Sequence, residues 1–310
     1  MELGLFVEPQ MGGSYRRLVE LAQWAEQQGL AAFARSDHYL AGDASFPATD
    51  ALVSYGGLAV ETERIRLVTL VSPITFRHPG IMAKSASTLD GMSGGRFTLG
   101  VGTGWMESEH AVFGLDLPPM KERFERLEEA LAYIRASLSG GGSVVGSHYT
   151  LKEAEILPVA SDGFQIVVGG GGPKKTPRLA GTFADEYNMF VTDAATLEAR
   201  LSVMHGAATA AGRDPASILV SFAGPGLVYA TEDEHRAALA ERGARRDMSP
   251  GEYATFLDDR LVPHGTKERA GETIARLEEL GVGRYYVQEF AALEDVDLEQ
   301  MAIVMDGLSG

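Results

Sequence analysis

A single (β/α)8 TIM barrel of the α/β class is the fold this 310-residue chain predicts, and three observations predict it. Eight short apolar segments alternate with helical stretches along the chain, and strands separated by helices demand parallel pairing. Four of these units share one grammar: an amphipathic helix, a glycine, then a buried strand. The length suits a barrel of about 250 residues enlarged by insertions, and no low-complexity linker divides it, so residues 1–310 read as one domain. An open doubly wound sheet is the competing arrangement.

Taken in order, Leu3 to Val7 is the first strand. Leu18, Leu21, Ala22 and Ala25 share a helical face before Gly29, and Ala31 to Ala34 forms the second strand. Ala48 to Glu61 is helical, and Ile65 to Val71 is the third strand. Ala83, Ser87 and Gly91 lead into the fourth, Arg96 to Val101. In the helix Glu122 to Leu138, Phe124, Leu127, Leu131 and Ile134 recur at helical spacing. Phe164 to Val168 is the fifth strand; Leu179-Ala180-Gly181 precedes the sixth, Asp185 to Val191. The helix Leu197 to Ala211 leads to the seventh, Ile218 to Phe222. Ile274, Leu277, Leu280 and Gly281 precede the eighth, Tyr285 to Val287. The glycines at 29, 91, 181 and 281 are read as left-handed caps that end helices. Two segments exceed the period, as insertions after strands 4 and 7: a glycine-rich stretch at about 139–160, and 231–263, where Thr231 with Glu234 and Ser249 with Glu252 spell capping boxes.

Forty-three acidic against 27 basic residues give a net charge of −16, a field that repels nucleic acid and anionic lipid. The absence of cysteine removes disulfides, zinc-thiolate sites, iron–sulfur clusters and thiol nucleophiles, so redox chemistry would need an organic cofactor. The first residues lack signal-peptide character and no run approaches the ~20 apolar residues of a membrane span, so a cytoplasmic protein is expected. The seven histidines show no metal-ligand spacing, and no metal is expected. No lysine lies in a strand core, which disfavours a Schiff-base aldolase.

In a parallel barrel, chemistry gathers beyond the carboxyl ends of the strands. Asp37 and His38 follow the second strand: His38 is a candidate general acid or base and Asp37 a cofactor-binding or orienting group, although a helix cap beside a surface histidine would look the same. Arg77 and His78, after the third strand, are candidates for anion contacts. Gly100-Val101-Gly102-Thr103-Gly104-Trp105 approaches a dinucleotide fingerprint but has Trp105 where the third glycine belongs. Gly169, Gly170, Gly171 and Gly172 run through Pro173 to Lys174, Lys175 and Thr176; Lys174 breaks the P-loop pattern, which requires glycine there. A glycine loop entering a helix beside Lys174, Lys175 and Arg178 remains a phosphate cradle.

Ser36-Asp37-His38, Phe76-Arg77-His78-Pro79 through Thr88-Leu89-Asp90 to Ser93-Gly94-Gly95-Arg96, the Gly100 to Trp105 turn, Phe113-Gly114, Val168 to Gly172, Arg178-Leu179-Ala180 and Ala184-Asp185 together resemble the bacterial luciferase-like superfamily, and within it the deazaflavin oxidoreductases that use coenzyme F420. The resemblance implies a flavin-like ring at the carboxyl end of the strands and a phosphate among the loops carrying Gly102, Thr103 and Gly104 and Gly169 to Thr176. It implies a non-proline cis peptide at Leu70-Val71 or one residue later, Asp37 at the ring's polar edge, and His38 beside the hydride-carrying carbon. Some members carry a proton-donating glutamate directly after Gly-Thr-Gly; this chain has Trp105, which leaves Glu8, Glu107 or Glu109 to be tested for that role, with Glu8, Trp105 and Glu107 as substrate-pocket candidates. The resemblance implies an F420-dependent hydride transfer to or from a small organic substrate by a homodimer. An FMN-dependent monooxygenase and a non-catalytic cofactor-binding barrel are the alternatives.

Overall fold

The computed structural model describes residues 1–42, 44–153 and 155–309. Eight parallel strands form a ring: β1 (Glu2–Val7), β2 (Ala32–Arg35), β3 (Arg66–Thr69), β4 (Phe97–Gly102), β5 (Gln165–Gly169), β6 (Glu186–Phe190), β7 (Leu219–Gly224) and β8 (Arg284–Glu289). They neighbour one another in the order β3-β2-β1-β8-β7-β6-β5-β4, and pairing of β3 with β4 closes the barrel. The open sheet is thereby excluded.

Alternation along the strands sorts residues into two cores. Leu3, Leu5 and Val7 face the helices, while Phe6 faces the lumen with Ala32, Ala34, Val68, Val167, Ala223 and Tyr286. The lumen is tight: a Cβ on Gly4 would stand 2.7 Å from the Tyr286 ring. Its lower end is ionic, where Arg284 donates to Glu186 at 2.5 Å and to the Tyr286 hydroxyl at 3.0 Å.

Around the barrel lie α1 (Tyr15–Gln27), α2 (Ala51–Glu61), α3 (Pro79–Ser93), α4 (Glu107–Phe113), α5 (Met120–Leu138), α6 (Lys175–Phe183), α7 (Ala194–Ala210), α8 (Glu232–Ala244), α9 (Pro250–Asp258), α10 (Lys267–Glu279) and α11 (Leu298–Leu308). Gly29 and Gly281 follow α1 and α10 with φ of +74° and +90°, as left-handed turn residues should. Two of the expected caps are corrected. Gly91 lies inside α3, which ends at the left-handed Gly94. Gly181 lies inside α6, and its missing side chain lets α7 approach: a Cβ there would meet Ala207 Cβ at 2.9 Å.

The first insertion carries a small antiparallel hairpin, Val144–Val145 with Thr150–Leu151, whose turn amides of Ser147, His148 and Tyr149 donate to Glu129. The second carries α8 and α9, each opened by a complete capping box, before His264–Gly265 pairs with Leu227–Val228.

Candidate active site

Each site segment sits at the carboxyl end of a strand. β3 stops at Thr69, the Leu70–Val71 peptide is cis, and pairing along β4 resumes at Ser72 opposite Val101. The third strand therefore breaks two residues before the end its apolar run suggested. The Val71 side chain lies against a wall with no side chains: Cβ atoms on Gly102 and Gly169 would each stand 2.8 Å from a Val71 methyl, and one on Gly100 would stand 3.0 Å away and run into the Thr69 carbonyl. Much of the glycine pattern of β4 and β5 thus makes room for Val71.

Asp37 is buried and fully engaged. Ser72 Oγ donates to it at 2.7 Å, and the Arg77 guanidinium forks onto it while also reaching Asp50 and the Tyr39 hydroxyl. Arg77, read from sequence as a possible anion contact, is instead held by two carboxylates. Burial pushes the Asp50 carboxyl up, but the Val53 amide, which it caps at the start of α2, and the Arg77 charge outweigh burial and hold it low. His78 caps α3, its Nδ1 accepting the Gly80 amide.

His38 is the side chain the site presents. Its Nδ1 lies 3.0 Å from Glu109 Oε2, and its ring meets that of Trp105 edge-on at 5.7 Å. Glu109 is fully buried in α4 and also accepts the amides of Tyr39 and Leu40. Burial raises its carboxyl, yet the bonds from His38 and the two amides prevail and hold it below the usual carboxylate range. An ionised Glu109 assigns the proton of a neutral His38 to Nδ1, leaving Nε2, which makes no protein hydrogen bond among the described residues, with its lone pair available.

Of the three carboxylates singled out by sequence, Glu109 is the one that reaches His38. Glu107 is exposed on α4. Glu8 is buried at the end of β1, held at 2.6 Å by both Gln10 and Gln288, while Gln10 accepts from Ser36. That chain of amides floors the mouth across β8, β1 and β2. Helical spacing carries the signal for Glu109: two residues on from Glu107, it falls with His110 on the inner face of α4. His110 itself is structural, with Nδ1 on the Met106 carbonyl and Nε2 on Thr75 at 2.7 Å each.

At the end of β5, Gly170 has φ +143° and a Cβ on Gly171 would meet nothing within 4 Å. Helix α6 begins at Lys175 after Lys174, whose side chain makes no cap hydrogen bond to its first amides. Lys174 and Lys175 are exposed, the latter with Nζ 5.1 Å from the Phe124 ring centroid, and Thr176 is buried beneath the loop. Arg178, counted from sequence with this cluster, is paired with Glu128. Thr103 is half-buried just beyond β4, and at Gly104 (φ +75°) a Cβ would meet Thr75 Oγ1 at 2.7 Å.

A closed parallel barrel with its polar side chains gathered at the carboxyl ends of the strands places the protein among the (β/α)8-barrel proteins. The sequence profile of the luciferase-like monooxygenase family matches residues 1–304, and the chain belongs to that family. An F420-dependent glucose-6-phosphate dehydrogenase of Microbacterium testaceum is 37% identical over 175 residues, which are 55% of this chain and 51% of that protein. The chain spans about half the length of the curated relatives it matches. Among solved structures, a monooxygenase from Streptomyces bottropensis superposes with a TM-score of 0.80 at 20% identity, over 98% of this chain and 96% of that one. An F420-dependent secondary alcohol dehydrogenase in complex with an F420–acetone adduct does so with a TM-score of 0.80 at 20% identity, over 100% and 99%. These two establish a shared fold.

Proposed function

We propose that the protein is an F420-dependent oxidoreductase that transfers a hydride between the deazaflavin and a small organic substrate, with His38 exchanging the accompanying proton at Nε2. The observation that carries the reading is His38 held at Nδ1 by a buried carboxylate and left open at Nε2 at the barrel mouth. The curated relatives bearing an F420-dependent name, 34–38% identical over their matched segments, support the same cofactor.

The residues present fit such a cofactor. Gly170, Gly171 with open space where its Cβ would be, the α6 amides that Lys174 leaves uncapped, and the exposed Lys174 and Lys175 suit a phosphate. Leu70 and Val71 offer an apolar shelf beside Gly102, and Ser72 and Arg77 fix Asp37 at the same level. Bound there, the deazaflavin supplies the hydride chemistry. The chain supplies the rest: Glu109 fixes the His38 tautomer, His38 accepts or returns a proton, and Trp105 covers the imidazole.

Anaerobic titration of the apo protein with F420 and with FMN tests the cofactor. Saturable F420 binding without FMN binding is expected; tight FMN binding without F420 binding would replace the reading with a flavin monooxygenase. His38→Ala should lower turnover by at least about 100-fold with F420 affinity unchanged. Full F420 binding with no hydride exchange by the unsubstituted protein over a broad panel would leave a binding protein only. We infer a homodimer as well, because α2 presents Val53 and Val60 and α3 presents Ile81 and Met92, all exposed, on adjacent helices. Light scattering on the native chain and on Val53→Asp/Val60→Asp reads that inference, with loss of the dimer expected in the variant.

A further inference from the structure

Among the described residues, α9 is flanked on both sides by non-glycine residues in the left-handed region. Asp247 before it has φ +56° and Leu261 after it has φ +55°, a conformation that is an outlier for a bulky side chain such as leucine. The helix stands at the rim of the barrel mouth. Its Tyr253 and Leu257 pack with Leu227, Val262 and Val191, the residue that follows β6. Round the ring, β6 is four strands from β2, which leads into His38, in either direction. Between the end of β6 and the end of α9 is a cleft of about 380 Å³ lined by Val191, Thr192, Asp193, Asp259 and Arg260.

Asp258, the last residue of α9, is tied down by a chain of titratable groups. Its carboxylate lies 2.9 Å from His264 Nε2 and accepts from Arg269 of α10. His264 Nδ1 lies 3.1 Å from Nε2 of His235 in α8, and both imidazoles are buried. Burial raises the Asp258 carboxyl, but the bonds from His264 and Arg269 outweigh it and hold it below the usual carboxylate range. An ionised Asp258 assigns the proton of a neutral His264 to Nε2, so Nδ1 is an acceptor and His235 donates to it from its own Nε2. His235 Nδ1 is then the one ring nitrogen of the pair with an open lone pair. It faces Glu232 Oε2 at 3.7 Å, and Tyr229 is stacked on the ring. The bond between the imidazoles needs one hydrogen between two nitrogens. A first added proton enters at His235 Nδ1, and its charge passes to His264 by a shift of the shared hydrogen, with Arg269 only 3.4 Å from His264 Nε2. A second proton sets N–H against N–H with no acceptor between them, and the bond is lost.

We propose that His235, His264 and Asp258 form a proton-operated latch: in its neutral state it holds α9 against the end of β6, and on acidification it releases α9 to swing about Asp247 and Leu261, widening the cleft at the mouth. Burial pushes His264 below its ordinary 6.5, so release falls on the acid side of that value. The chain has no cysteine, so nitroxides attached at Thr255→Cys in α9 and Ala199→Cys in α7, both exposed positions, report the distance between the two helices by double electron–electron resonance. One distance is expected at pH 7.5. At pH 5 a longer one should rise at least about tenfold in population, with far-UV circular dichroism unchanged. His235→Gln/His264→Gln keeps a donor and an acceptor at each position but does not titrate, and should stay closed at both pH values. Asp258→Asn removes the charge that sets the tautomers and should populate the longer distance already at pH 7.5. The proposal is overturned by a single distance at both pH values, by a pH-driven change that survives the double glutamine substitution, or by an Asp258→Asn chain that stays closed at pH 7.5. A longer distance that appears only with loss of the circular dichroism signal is unfolding and overturns it too. No cofactor enters this readout, so the inference and the oxidoreductase reading fail separately.

Discussion

If Val71 dictates the glycines of β4 and β5, adding a methyl group at each of them should have different, calculable consequences. On Gly169 and Gly102 the new Cβ would stand 2.8 Å from a Val71 methyl, well inside the ~3.5–4.0 Å optimum for carbon pairs. Neither glycine has a positive φ, so the backbone itself tolerates alanine. Overpacking of this kind costs about 1–3 kcal/mol. Val71→Ala removes the obstructing methyls at a cost of about 1–2 kcal/mol. In that background Gly169→Ala should become nearly neutral, or slightly stabilising through the unfolded chain, by ~0.4–1 kcal/mol. The cycle therefore has a coupling energy of about 2 kcal/mol. Gly100→Ala behaves differently because its Cβ would collide with the Thr69 carbonyl, a backbone atom, so Val71→Ala should not rescue it. Urea unfolding of the apo protein, followed by far-UV circular dichroism, measures all three cycles. Additive costs for Gly169→Ala and Val71→Ala would refute the packing argument and return Gly169 to a role reserved for a ligand.

Further outcomes follow from the charges at three residues, Glu109, His264 and Arg77. Glu109→Ala leaves the Tyr39 and Leu40 amides and His38 Nδ1 without their buried acceptor and should cost about 2–4 kcal/mol in urea unfolding. Because the fold depresses this carboxyl below its ordinary 4.5, its stabilisation is present above that value and lost as pH falls through the folded one, so Glu109→Gln should flatten the acid limb of stability. His264 is pushed below its ordinary 6.5 mainly by burial, against the opposing bond to Asp258; its contribution is full above 6.5 and lost as pH falls towards the folded value. Urea midpoints between pH 8 and pH 5 should therefore fall in the native chain and fall less in His264→Gln. Arg77→Met leaves Asp37 and Asp50 without their shared cation and should cost about 3–5 kcal/mol, and Arg77→Lys should recover only part because an ammonium cannot fork onto both.

The fold was legible because its signals are local. Apolar runs marked all eight strands, and the capping boxes at Thr231 and Ser249 formed as written. The errors lie where a residue's role depends on a neighbour distant in sequence. A glycine in a helical stretch reads equally well as a cap or as a point of close approach; Gly181 is the latter because α7 crosses there, and nothing in its own window says so. The break after Thr69 is hidden in the apolar run for the same reason, since Leu70 and Val71 extend the run of β3 while the space that receives Val71 belongs to β4 and β5; the family resemblance, not the run, placed a cis peptide at Leu70–Val71 or one residue later.

The candidate site divides along the same line. Asp37 and His38 were singled out because they follow a strand, a one-dimensional fact. What each does is set by side chains 35 to 71 residues away: Ser72 and Arg77 bind Asp37, and Glu109 binds His38. Their division of labour follows from charge. Asp37 has its own cation and hydroxyl and is satisfied within the protein, so it is a fixed element of the wall. Among the described residues Glu109 pairs with no Lys or Arg and is stabilised as an anion by two amides and by the bond from His38, whose ring it faces as a buried carboxylate. On the proposed reading, that asymmetry, which neither motif displays in sequence, is what would give His38 the proton-exchanging role and make Glu109 the positioning residue behind it.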